Sequence, residues 1–149
     1  MVVKKLYTFL LLPAAVIITV FLLWPSDEGR IKKLFKEGSL AVEAEDIEKV
    51  LSKIAYDYHD ENGFTYLFIR DALRRQFDLL SDIDVEYEKM WITVSDKTAV
   101  AEMDVRVIAT LGNETGYITG DIKEPLHLKF ILGKERTKWL IVKSEGFRF

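Results

Sequence analysis

Residues 99–109, Ala99-Val100-Ala101-Glu102-Met103-Asp104-Val105-Arg106-Val107-Ile108-Ala109, decide how this chain is to be read. Small and apolar side chains hold the odd positions, while Glu102, Asp104 and Arg106 alternate with them. A period of two is that of a β-strand, and one apolar face beside one charged face predicts a sheet buried on a single side. Upstream, residues 83–94 carry the same period with a slip. Val85 and Tyr87 share one parity, Met90, Ile92 and Val94 the other, which places a β-bulge near Glu88 and Lys89. Ser95-Asp96-Lys97 then forms the turn between the two strands. Downstream, Gly112, Gly116 and Gly120 mark a loose loop. Leu126, Leu128, Phe130 and Leu132 alternate with outward His127 and Lys129. A turn over residues 133–136 leads into a last strand holding Trp139, Leu140, Ile141 and Val142. The second half thus reads as a four-stranded antiparallel meander.

The first half has the other period. Ser26 is placed as an N-cap with Asp27 and Glu28 in the first turn, and Ile31, Leu34, Phe35, Gly38, Ala41 and Val42 form one helical face. Asp46 caps a second predicted helix with Ile47, Val50, Leu51 and Ile54 inward. A third runs from about Thr65 to Leu80, turning Ile69, Ala72, Leu73, Phe77 and Leu80 to the core. Its Arg70, Arg74 and Arg75 can pair with Asp71 and Asp78 on a solvated side. A sheet with one apolar face needs a cover, and these three helices supply it. The expected fold is α+β: three helices packed on a curved antiparallel four-stranded meander, the bulge providing curvature.

Ahead of the helices lies a different composition. Residues 6–24, opening at Leu6 and closing at Trp24 (LYTFLLLPAAVIITVFLLW), contain no charge. A helix of that length spans roughly 28 Å, about the hydrocarbon thickness of a bilayer. Tyr7 and Trp24 stand near its ends, where amphipathic rings favour the lipid–water interface, and Lys4 and Lys5 precede it. Bulky Phe21, Leu22, Leu23, Trp24 and Pro25 occupy the place where a cleavable signal needs small residues, so an uncleaved anchor is expected. Residues 1–25 are read as a signal anchor and residues 26–149 as one domain. The N-terminus is expected in the cytoplasm and the domain outside it, periplasmic or extracellular, although Arg30, Lys32 and Lys33 oppose that orientation.

The chain has 149 residues and a net charge of −3; Lys4 and Lys5 are the only charges before Ser26, so residues 26–149 carry −5. An acidic domain without a basic, aromatic-interleaved stripe does not fit nucleic acid. Hydrophobic residues at 49% exclude a disordered chain. With no cysteine and only His59 and His127, disulfide scaffolds, thiolate metal sites and cysteine nucleophiles are excluded. No phosphate loop, calcium loop or serine nucleophile elbow is present.

The run Ile54-Ala55-Tyr56-Asp57-Tyr58-His59-Asp60-Glu61-Asn62-Gly63, followed by the helix over residues 64–80 and the meander, resembles the nuclear transport factor 2-like superfamily. By element order the resemblance covers about residues 27–149. It implies an α+β, cystatin-like cone, and a superfamily that holds ketosteroid isomerases, dehydratases, polyketide cyclases and many non-catalytic domains. Among the latter are periplasmic scaffold domains of type IV secretion proteins, which join one membrane helix to this fold. The isomerases' catalytic pattern finds no residue-by-residue match here, so none is carried over.

Enzymes of this fold set an acid or histidine inside an apolar cone, where burial tunes its pKa. The side chains expected inside are Tyr87, Met103, Val105, Leu128 and Phe130, a possible ligand lining that offers no base. No residue is assigned a catalytic role; Asp57, His59 and Asp60 are the candidates. They could act as a histidine base with a carboxylate partner, or, with Glu61, as a metal site. A polar interhelical loop explains the same residues. No cofactor and no metal are expected. The expected function is a non-catalytic, membrane-tethered interaction or scaffold module binding a protein partner or a second copy through its sheet face or an edge strand; the alternative is a small-molecule binder or isomerase/dehydratase-like enzyme using the cone.

Overall fold

A computed structural model describes residues 2–147, the side chains of residues 2–12 excepted. The order is α1 (Val2–Leu23), α2 (Asp27–Glu43), α3 (Ile47–Leu51), β1 (Ile54–Asp60), α4 (Tyr66–Leu79), β2 (Leu80–Ser95), β3 (Thr98–Leu111), β4 (Glu114–Thr119), β5 (Leu126–Glu135) and β6 (Lys138–Glu145). The sheet runs β1-β6-β5-β3-β2, with β4 pairing β3 beside β5.

The first 22-residue helix continues through Pro13, and every side chain from Pro13 to Ser26 is exposed. Among the described residues no helix is long and apolar enough to cross a membrane. The side chains of residues 6–12 of the expected anchor, and with them Lys4, Lys5 and Tyr7, lie outside the described ones.

The domain begins as its caps require. The Ser26 side chain accepts the Gly29 N–H at 3.0 Å, and Asp46 accepts from the Lys49 N–H at 3.1 Å. Asp27 also ties α2 to the sheet. Its carboxylate takes Lys134 Nζ at 2.8 Å and the buried Trp139 indole N–H at 3.0 Å. Those two bonds, Lys134 first, hold its carboxyl below the usual carboxylate range. Ile31, Leu34 and Phe35 of α2 are buried on Ala99, Ala101, Met103 and Val105 of β3, Leu128 and Leu132 of β5, and Trp139 of β6. The two alanines under the helix leave room for its close approach. The bulge in β2 falls where the parity slip placed it: register shifts between Glu88 and Trp91, and Lys89 has φ of 52°.

Three expectations are corrected. The sheet has six strands and is mixed, not four and antiparallel. Ile54 is not the end of a helix, nor residues 56–60 a loop: all belong to β1, which lies parallel to β6, and the turn begins only at Glu61. Between Ile54 and His59 the register shifts, so β1 buries Ala55, Tyr58 and Asp60 at uneven intervals and shows neither period cleanly. The glycine-marked loop contains β4, hairpinned onto β3 through Gly112. Where β3 exchanges β4 for β5, Gly120 has φ of 66°, and a Cβ there would lie 2.9 Å from the Val105 carbonyl oxygen. Only glycine relieves both the backbone angle and that approach.

Candidate functional site

The concave side of the sheet and α2 enclose an open cavity of about 270 Å³. Tyr87, Met103, Val105, Leu128 and Phe130 all line it, joined by Phe35, Val107, Ile141 and Phe147. The wall is aromatic on one side, with ring centroids of Phe35 and Phe130 5.1 Å apart and those of Phe130 and Phe147 6.3 Å apart. Among the described residues, no carboxylate or imidazole lines this space. Its polar groups are Ser39, Lys53, Tyr87 and Thr119. Ser39 is turned to its own helix, its hydroxyl donating to the Lys36 carbonyl at 2.9 Å, and the Lys53 ammonium is held by Glu37. The surface is suited to contact with hydrocarbon or aromatic rings, with Tyr87 and Thr119 left to orient a ligand.

Asp57, His59 and Asp60 do not converge. Asp57 and His59 are exposed on β1, and among the described residues the His59 ring finds only the Asp57 backbone carbonyl as a polar partner, at 3.5 Å. Asp60 is buried, with 5% of its surface exposed. Its Oδ1 accepts the backbone N–H of Phe64 at 2.7 Å and of Asn62 at 2.8 Å, closing the turn into α4. This carboxylate performs the work of an Asx turn, with no imidazole to orient. Among the described residues, no three of His, Asp and Glu gather as a metal ion would require.

One buried polar pair has no signal in the sequence, whereas the charged residues of the outer face pair across strands as their alternation implies. Tyr58 and Ser144, both buried, share a side-chain hydrogen bond between β1 and β6. Burial pushes the Tyr58 hydroxyl above its ordinary pKa, against the pull of that bond, and the Asp60 charge adds to the rise. Their pairing follows from a parallel strand contact 86 residues apart in sequence, for which no local signal exists. On the outer face, His127 Nδ1 lies 2.9 Å from Asp104 Oδ1, and Lys89 Nζ 3.2 Å from Oδ2. The His127 bond, then the Lys89 bond, depresses the Asp104 pKa. Arg106 pairs with Glu88 at 3.2 Å and donates from Nε to the Asp121 carbonyl at 2.7 Å, pinning the segment after β4. These groups cross-link neighbouring strands and stand away from the cavity. The arginines of α4 pair less than expected: among the described residues, only Arg70 finds a carboxylate, that of Asp71 at 3.2 Å.

No family model and no curated protein matches this chain. Solved structures do. A cystatin-like protein of unknown function from Nostoc punctiforme superposes with a TM-score of 0.63 at 18% identity, over 79% of this chain and 87% of that one. A nuclear transport factor 2-like protein from Cytophaga hutchinsonii matches with a TM-score of 0.63 at 12% identity, over 80% and 95%. The globular part has the nuclear transport factor 2-like fold. A proposed scytalone dehydratase from Novosphingobium aromaticivorans shares it with a TM-score of 0.64 at 13% identity, over 80% and 87%. The chain spans only 40% of the length of Bd1075 from Bdellovibrio bacteriovorus, another match, with a TM-score of 0.65. Identities this low speak to the fold alone.

Proposed function

We propose that this protein is a membrane-tethered binding domain whose cone holds a small apolar molecule without transforming it. The carrying observation is the cavity of about 270 Å³ whose lining contains aromatic and aliphatic side chains and, among the described residues, no acid or histidine. Dehydratase- or isomerase-like proton transfer needs a base within hydrogen-bond reach of the substrate. Among the described residues, the charged group on the wall is Lys53, and it is engaged by Glu37. The tether is the charge-free run of residues 6–24, whose described side chains all face outward. The short N-terminal tail lies in the cytoplasm and the domain outside it.

The test is thermal unfolding of the full chain in lipid nanodiscs with one- and two-ring aromatic compounds. A ligand at a hundred times its Kd adds about 2.7 kcal/mol and raises Tm accordingly. Val107→Phe takes volume out of the cavity and should abolish the shift while the variant stays folded. An unchanged shift would move binding elsewhere, and turnover of any compound would restore the enzyme reading.

A second reading, a protein partner or second copy on the outer sheet face, is favoured by Trp91, which leaves 72% of its surface exposed on β2, an edge strand. Trp91→Ala should leave Tm within about 0.5 kcal/mol equivalent and weaken cross-linking to that partner in intact membranes. Undiminished cross-linking removes this face from consideration.

A further inference from the structure

The end of the domain at which α1 leaves is a rim of three elements. From Leu23 to Asp27 the backbone reaches at most about 14 Å, so a helix in the bilayer brings the start of α2 close to its surface. The two hairpin turns, at Asp96-Lys97 and Arg136-Thr137, lie at this same end. Lys134 N–H donates to the Lys97 carbonyl at 2.9 Å, and Arg30 Nη1 donates to the Thr137 carbonyl at 3.1 Å. The Arg30 guanidinium also sits 5.8 Å from the centre of the Trp24 ring, at the base of the tether.

Charge is divided unevenly along the domain. Residues 27–33, 95–98 and 134–138 hold seven basic and four acidic side chains, a net of +3 in a domain of −5, which leaves −8 elsewhere. Lys97, Arg136 and Lys138 are exposed, and none of them joins an ion pair among the described residues. We infer that this rim docks on anionic lipid headgroups of the membrane that holds α1, with the acidic remainder turned away. The inference rests on the tether reading above. Each Lys or Arg at an anionic bilayer surface strengthens attachment about five-fold. The tether holds the rim at high effective concentration, so a few such contacts fix the domain's orientation.

The absence of cysteine makes the experiment clean. Thr137→Cys carries a nitrobenzoxadiazole fluorophore on the rim. Glu48→Cys carries it beyond the far end of α2, a helix of 17 residues and so about 25 Å long. The full chain is reconstituted in phosphatidylcholine vesicles bearing a headgroup spin-label quencher, with or without phosphatidylglycerol. The Thr137 probe should be quenched when phosphatidylglycerol is present and released by salt, and the Glu48 probe should be indifferent. Combining Lys97→Gln, Arg136→Gln and Lys138→Gln should lower the docked-to-free ratio on the order of a hundredfold; all three side chains are exposed, and circular dichroism checks the fold. A chain that floats with the vesicles but whose Thr137 probe ignores phosphatidylglycerol, or whose triple variant is quenched like the parent, overturns the docking and leaves the tether standing. Failure to float with either vesicle overturns both.

Discussion

The two faces of strands β2, β3 and β5 are made from alternate residues of the same segments, yet they differ in kind. Inside, Met103 and Leu128 are cross-strand partners, and both are buried under α2. One residue along, Asp104 and His127 are partners on the outer face, joined by a 2.9 Å contact, with His127 open to water. Burial of the inner pair removes apolar surface from water at about 25 cal/mol per Å². The outer pair joins a largely covered Asp104 to a His127 that water already solvates, and a contact with so open a partner contributes little. The comparison teaches that the charged pairs here are fittings between strands, while stability and any ligand site belong to the inner face.

The largest break in that comparison should come from Leu128→Ala, which leaves a void beneath α2 and should cost about 2–5 kcal/mol in denaturant unfolding. A cost below about 1 kcal/mol would mean that the cone is already loosely filled. Asp60→Ala tests the polar exception, a carboxylate buried for structural reasons. Two backbone N–H groups lose their acceptor, and the expected loss is about 1.5–3 kcal/mol. Asp60→Asn, whose amide oxygen still accepts both, should recover most of it; equal damage from both variants would show that the charge itself is needed.

The smallest effect lies on the outer face and is read by pH. The folded-state pKa of Asp104 is depressed below 3.8, by His127 first and Lys89 second. Its contribution is therefore present above the unfolded pKa and is lost as pH falls through the folded value. His127→Ala should lower stability slightly above about pH 4 and progressively less below it, which flattens the acid limb of the stability curve. A loss that stays undiminished in acid would place His127 in a larger network than its two strand neighbours.

Legibility followed the regularity of the local pattern. The slip between Tyr87 and Met90 located the β2 bulge because burial on one side forces every strand residue to declare its face. The same logic assembled Tyr87, Met103, Val105, Leu128 and Phe130 around one cavity. It failed at β1, where a register shift sets Ala55, Tyr58 and Asp60 at uneven intervals and leaves neither period to be read. It failed again at β4, whose residues are mostly exposed and whose one glycine, Gly116, reads as a loop together with the flanking Gly112 and Gly120. Asp60 shows the limit for sites: Asp-Tyr-His-Asp has the composition of a catalytic cluster, and only the turn into α4 shows what its carboxylate holds.

By itself, the sequence determined the two periods, the bulge, the caps at Ser26 and Asp46, the charge-free leading run and the apolar lining of the cone. Each is a statement about neighbours within a few residues, and local sterics and burial settle those. The tertiary structure decided that β1 lies parallel to β6, that Tyr58 meets Ser144, that Asp57 and His59 stay outside the cavity, and that the basic hairpin turns gather beside the start of α2. These depend on contacts between distant segments, whose closure is governed by the packing of the whole chain and leaves no periodic mark on any one stretch.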